Sequence, residues 1–136
     1  MTEKTIFSRI IDRECPAYIV AEDKEHIAFL DIAPETKGHT LVVPKVPIDY
    51  FFDLEDRALE CLISFAKRVA LGIEKVVPCF RISVKVHGLD VPHAHVHLIP
   101  LVDYKSETLV KSRPPFTQEE MQNLADAIKQ KIAIAQ

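Results

Sequence analysis

Apolar positions along this chain follow two periods, and the switches between them mark its elements. Ile6, Phe7, Ile10 and Ile11 recur at helical spacing within residues 4–12 and predict a short amphipathic helix. It must end before Cys15-Pro16, because proline disfavours helix in the residue ahead of it. Residues 18–22 and 26–32 read as strands joined by the turn Asp23-Lys24-Glu25, hence antiparallel neighbours. Ala33 to Gly38 is a loop by its proline and glycine content. A third strand, 39–44, stops at Pro44 and Pro47. The stripe Leu54, Ala58, Leu59, Leu62, Phe65, Ala66, Val69 and Ile73 predicts the longest helix, with Asp53 as its N-cap and Gly72 near its end. Residues 80–86 alternate Ile82, Val84 and Val86, and the short connection His87 to Pro92 leads to a fifth strand from His93. Residues 103–116 are polar and twice proline-bearing, so they read as loop. Thr117 and Glu120 form a capping box that opens a last helix with Met121, Leu124, Ile128 and Ile132 inward. The sum is an α+β fold: about five antiparallel strands with a long helix and a C-terminal helix packed on one face. One domain is expected over 1–136, with a core at about 5–101 and an extension carrying the last helix at about 102–136.

Composition narrows the function classes. Of 136 residues, 48% are hydrophobic and 27% charged, which is ordinary for a soluble globular chain. The longest apolar run is Ala17 to Ala21, far short of a membrane span. The N-terminus leads into no signal-peptide core, so a cytoplasmic location is expected. Cys15, Cys61 and Cys79 are odd in number and form no Cys-x-x-Cys, which argues against a disulfide framework and a structural zinc site. A net charge of −3 leaves no basic footprint for a nucleic acid polymer. An anionic partner must then be a small molecule held by local groups.

The candidate chemistry lies in His93-Ala94-His95-Val96-His97-Leu98-Ile99-Pro100. Three imidazoles at every second position would share one face of a strand, spanning about 13 Å at roughly 3.3 Å per residue. Imidazole can act as nucleophile, acid, base or metal ligand near neutral pH. Adjacent imidazoles discourage one another from ionising together, and a phosphate laid against them reverses that preference. This favours a phosphate-handling face. Two other readings stay open on spacing alone. His-x-His could offer two ligands to a metal, with His26, His39 or His87 as a third. Alternating polar residues on a half-exposed strand could also be merely structural.

The residues also carry a family pattern. His93 to Ile99 resembles the histidine triad (HIT) signature, His-φ-His-φ-His-φ-φ with φ apolar. Thr5 to Ile11, Glu14-Cys15-Pro16-Ala17, Ala28 to Pro34 and Gly38 to Lys45 resemble the family's earlier segments in order. The nearest branch is that of bacterial proteins similar to the Hint-type nucleotide hydrolases. The resemblance implies hydrolysis or transfer at the α-phosphorus of a nucleoside phosphoramidate or dinucleoside polyphosphate. His95 would be the nucleophile and form a nucleotidyl-histidine. His97 would meet the phosphate or departing group, and His93 and His39 would form an orienting relay. Asp31 would hold the ribose hydroxyls, and Ile6, Phe7, Ile10, Phe29 and Ile32 would surround the base. It also implies a homodimer with a continuous sheet, to which the long helix (Cys61, Leu62, Phe65) could supply interface material. Zinc-bearing relatives carry cysteines where this chain has Thr5 and Ser8, so neither a metal nor another cofactor is expected. Lys85 stands for the usual Asn, and Asp90 falls where a phosphate-contacting Ser usually lies. The leaving-group side is therefore rebuilt. The alternative function is a nucleotide-binding or sensor protein of this fold with weak or lost catalysis.

Overall fold

A computed structural model describes residues 4–102 and 116–132; the loop expected at 103–116 lies almost wholly outside them. The helix α1 spans Ile6–Ile11, with the Thr5 hydroxyl accepting the Ser8 N–H as its cap. Strands β1 (Ile19–Glu22), β2 (His26–Leu30), β3 (Thr40–Pro44), β4 (Arg81–Lys85) and β5 (Val96–Leu101) form one antiparallel sheet. Their order is β1-β2-β3-β5-β4. The β1–β2 turn is held by Asp23, whose Oδ1 accepts the N–H groups of Glu25 and His26, an Asx arrangement that closes a turn locally.

Both faces of the central strands are covered, which is why β2 and β3 are buried along their whole length. The long helix α2 (Asp56–Glu74) and the C-terminal helix α3 (Gln118–Lys131) lie on one face. There Leu62, Phe65, Val69 and Ile73 pack with Ala28, Leu30, Val42, Val96 and Leu98. The short α1 covers the opposite face, where Phe7 and Ile10 meet Ile27, Phe29, Leu41 and Val43. The helices are thus not all on one side. A Cβ on Gly72 would come within 2.4 Å of Ile132 Cγ1, so glycine there lets the end of α3 seat against α2. The capping box of α3 is formed as expected: the Thr117 side chain accepts the Glu120 N–H and Glu120 accepts the Thr117 N–H.

Three local expectations are corrected. The N-cap of α2 is Glu55, whereas Asp53 closes a 3₁₀ turn over Phe51–Asp53. Leu54, buried and extended (φ −67°, ψ 137°), anchors the break between them. Leu62 and Phe65 are fully buried within the chain and so offer no interface surface. The fifth strand begins at Val96 rather than His93. Ala94 N–H donates to Ile48 O instead of continuing the ladder with β3, and Pro44 at the end of β3 has no N–H to extend it. No described helix is long and apolar enough to cross a membrane.

Candidate active site

The break before β5 shapes the site. Only His97 lies on the strand proper, and the segment His93 to His95 bends ahead of it. All three imidazoles are nonetheless buried, as is His39 at the start of β3. His95 and His97 have ring centroids 4.9 Å apart, and Phe7 of α1 stands edge-on to His95 at 4.9 Å.

Hydrogen bonds to groups of known polarity assign the tautomers. His95 Nδ1 lies 2.7 Å from the His93 carbonyl oxygen. A carbonyl only accepts, so Nδ1 carries the proton and Nε2 is left with its lone pair. His93 Nε2 likewise donates to Pro44 O at 2.7 Å, and its Nδ1 is buried without a partner. The Glu35 N–H donates to His39 Nδ1 at 3.1 Å, so His39 carries its proton on Nε2. That proton reaches His97 Nδ1 at 3.0 Å. His97 then bears its own proton on Nε2, a buried atom without a partner. The relay therefore runs from a backbone amide through His39 to a donor on His97. His93 takes part through its main-chain oxygen, not as a link to His39.

Burial pushes His97 down to about 4, helped by the charges of His95 and His87 and opposed by Asp31 and Asp90. Burial also lowers His93, against the opposing pull of the Pro44 carbonyl. Both rings are thus held neutral at physiological pH.

A cleft of about 270 Å³ opens beside these rings. Its walls include Ile6, Phe7, Ile10, Phe29, Asp31 and Ile32, together with His95 and His97, so every residue expected around a nucleoside is brought together. Phe7, Ile10 and Phe29 are buried in the wall, while Ile32 is 78% exposed and forms part of the rim. Asp31 Oδ1 accepts the Ala33 N–H at 2.8 Å, and Oδ2 lies 3.5 Å from His39 Nε2. Asp90 also lines this cleft. Lys85 pairs with His97 in the β4–β5 register, which puts both side chains on the same face of the sheet. The group that sequence reasoning underused is His87. Spacing marks it only as a possible third metal ligand, yet its ring stands 5.1 Å from that of His97. The signal was the shortened connection that brings it back over the strand.

Asp31, His39 and His97 present ligand atoms within 4.8 Å of one another, enough to offer a cation three donors. The position where the family resemblance implies zinc-binding cysteines is different in kind. Thr5 and Ser8 oppose neutral hydroxyls 3.3 Å apart, with the Thr5 oxygen also capping α1. Hydroxyls are a poor substitute for the thiolates zinc prefers, so these residues do not fit that ion.

Comparison with known proteins agrees with this arrangement. A HIT domain family model matches residues 12–103. The chain belongs to the HIT family. It is 36% identical to the adenosine 5′-monophosphoramidase of Saccharomyces cerevisiae over 106 residues, covering 77% of this chain and 67% of that one. A HIT-like protein of Bartonella henselae, described as involved in cell-cycle regulation, superposes with a TM-score of 0.85 at 28% identity. That match covers 96% of this chain and 98% of the other. A histidine triad nucleotide-binding protein of Sulfolobus tokodaii gives 0.83 at 31% identity, covering 93% and 91%. The α+β architecture with its five-stranded antiparallel sheet is thus that of HIT proteins, a family that includes hydrolases.

Proposed function

We propose that this HIT protein is a hydrolase or nucleotidyltransferase acting at the α-phosphorus of a nucleoside phosphoramidate or dinucleoside polyphosphate, through a covalent nucleotidyl-histidine on His95. The observation that carries this reading is the bond from His95 Nδ1 to the His93 carbonyl, which leaves Nε2 as a neutral nucleophile on a ring bordering the cleft. In the first step Nε2 bonds to phosphorus, and the bond from phosphorus to the departing nitrogen or oxygen breaks, its electron pair going to the leaving group. A departing amine takes up a proton from solvent. The positive charge that develops on His95 is shared with the His93 oxygen. His97 Nε2–H, the unpartnered donor, stabilises the phosphoryl oxygens or the departing atom. Water then bonds to phosphorus, releases Nε2 and gives up a proton, yielding the nucleoside monophosphate.

Asp31 accepts the ribose hydroxyls, the apolar wall of Ile6, Phe7, Ile10, Phe29 and Ile32 holds the base, and Lys85 and Asp90 border the phosphates. The named activity of the Saccharomyces cerevisiae relative supports the phosphoramidate as substrate. The partner is a small nucleotide, and the setting cytoplasmic. A homodimer joined along β4 suits the open edge of the sheet, where Phe80, Val84 and Val86 are exposed; light scattering on the eluting protein tests it.

The deciding experiment is intact-mass spectrometry after rapid quench with adenosine 5′-phosphoramidate. The expected result is an adenylyl adduct on the wild-type chain, mapped to His95 and absent from His95→Ala. Saturable AMP binding without turnover or adduct would overturn the enzyme and favour a nucleotide sensor, a reading to which the carboxylate of Asp90 at the cleft lends some weight.

A further inference from the structure

The proposed mechanism leaves His87 unused. His87 follows the edge strand β4 and is exposed, and its ring stacks edge-on against His97 at 5.1 Å with an interplanar angle of 71°. The turn that holds it there passes through Gly88, which adopts φ +72° with open space around it. A left-handed residue directly after His87 reverses the chain at minimal cost. His97 is thereby approached by three other rings: His39 at 5.2 Å, His95 at 4.9 Å and His87 at 5.1 Å. Two of these have their tasks. His39 orients His97, and His95 borders the base cleft. His87 is the one ring of the group that faces solvent, where a departing group must leave.

The charges around it have a direction. Lys85 shares the face of His97 and lies two residues before His87. Asp90, on the same connection, borders the cleft beside His95 and His97, and Asp31 lies beyond on the His39 side. His97, held neutral by burial, supplies no fixed positive charge. Among the described residues, Lys85 and His87 are then the basic side chains on the side of His97 toward which a group leaving from phosphorus departs, and Asp90 opposes them.

From this placement we propose that His87 is a specificity-determining residue of the leaving-group side, selecting substrates whose departing group is itself an anion such as a nucleotide phosphate. The proposal rests on the α-phosphorus reading given above. Imidazolium beside the departing oxygen offsets the negative charge that the breaking phosphorus–oxygen bond delivers to it. An amine that takes its proton from solvent departs neutral and gains nothing equivalent.

The test uses two substrates that give the same adenylyl intermediate: adenosine 5′-phosphoramidate, with a neutral departing group, and diadenosine triphosphate, with an anionic one. Because hydrolysis of the intermediate is common to both, the ratio of their kcat/KM values reports binding and the first chemical step and excludes the second. In His87→Gln the ratio of diadenosine triphosphate to phosphoramidate is expected to fall about tenfold relative to wild type. His87→Lys places a cation at the same position and is expected to restore the ratio, a rescue that a merely structural role would not show. An unchanged ratio in His87→Gln, with wild type active on both substrates, overturns the role of His87 alone. Absence of wild-type turnover and adduct with either substrate overturns the underlying reading instead.

Discussion

Acidification should destabilise this protein through one ring, and the size of the effect follows from where His97 sits. The ring is only 7% exposed, and burial holds it down to about 4 against an ordinary value of 6.5. Between those values the unfolded chain binds a proton at this residue and the folded chain does not, so stability falls as pH falls. Each unit of difference corresponds to about 1.4 kcal/mol, giving about 2 kcal/mol at pH 5 and about 3 kcal/mol once pH 4 is reached. Below that both states are protonated and the loss levels off. His97→Asn removes the titration while retaining an oxygen near the position of Nδ1, able to accept from His39.

The measurement is urea unfolding by far-ultraviolet circular dichroism of both proteins between pH 4 and 7.5, at equal protein concentration. The variant will differ by a constant from lost packing. The informative quantity is how that difference changes with pH. Depressed carboxylates such as Asp23 also lose their stabilising contribution in acid, and burial of His93 acts in the same direction as His97, but both proteins share these terms. Wild type should lose about 3 kcal/mol more than His97→Asn across the window. Parallel curves, within about 0.5 kcal/mol, would show that His97 ionises freely in the fold and refute the reasoning.

Asp31→Asn should lower the preference for a ribonucleoside phosphoramidate over its 2′,3′-dideoxy analogue by about tenfold in kcat/KM, since a hydrogen bond to a charged acceptor contributes roughly 1.5–3 kcal/mol; an unchanged ratio would place the ribose elsewhere. Thr117→Ala removes the hydroxyl that accepts the Glu120 N–H and should cost about 1 kcal/mol in chemical denaturation, with adduct formation on His95 retained. Chelation by EDTA should leave phosphoramidate turnover unchanged, because Thr5 and Ser8 supply hydroxyls in place of thiolates and the His39 and His97 nitrogens beside Asp31 are hydrogen-bonded to each other; a chelator-sensitive rate restored by zinc would contradict this.

Much of this architecture was legible because it depends on local period. Alternation marked the strands, the stripe from Leu62 to Ile73 marked α2, and Thr117 with Glu120 marked the start of α3. The face on which α1 packs was not legible, since Phe7 and Ile10 announce only that they must be buried against something. The depth of Leu62 and Phe65 was misjudged for the same reason: an apolar stripe does not say whether its partner is the same chain or a second one. The set of residues that lines the cleft came largely from resemblance, and the structure gathers them through main-chain geometry that periodicity does not report.

The histidine row shows most clearly why local period runs out. Every-second spacing is a strand signal, and a regular strand would place the main-chain carbonyl of His93 in the plane of the sheet, across from the side chains rather than beneath one. The observed bond from His95 Nδ1 to that carbonyl needs the chain to leave strand geometry before Val96. It does so because two distant segments take the hydrogen bonds: Ile48 O receives the Ala94 N–H, and Pro44 O receives the His93 ring. Neither partner is local in sequence. The departure from the expected strand is thus what assigns the tautomer of His95, and with it the free Nε2 on which the proposed chemistry depends.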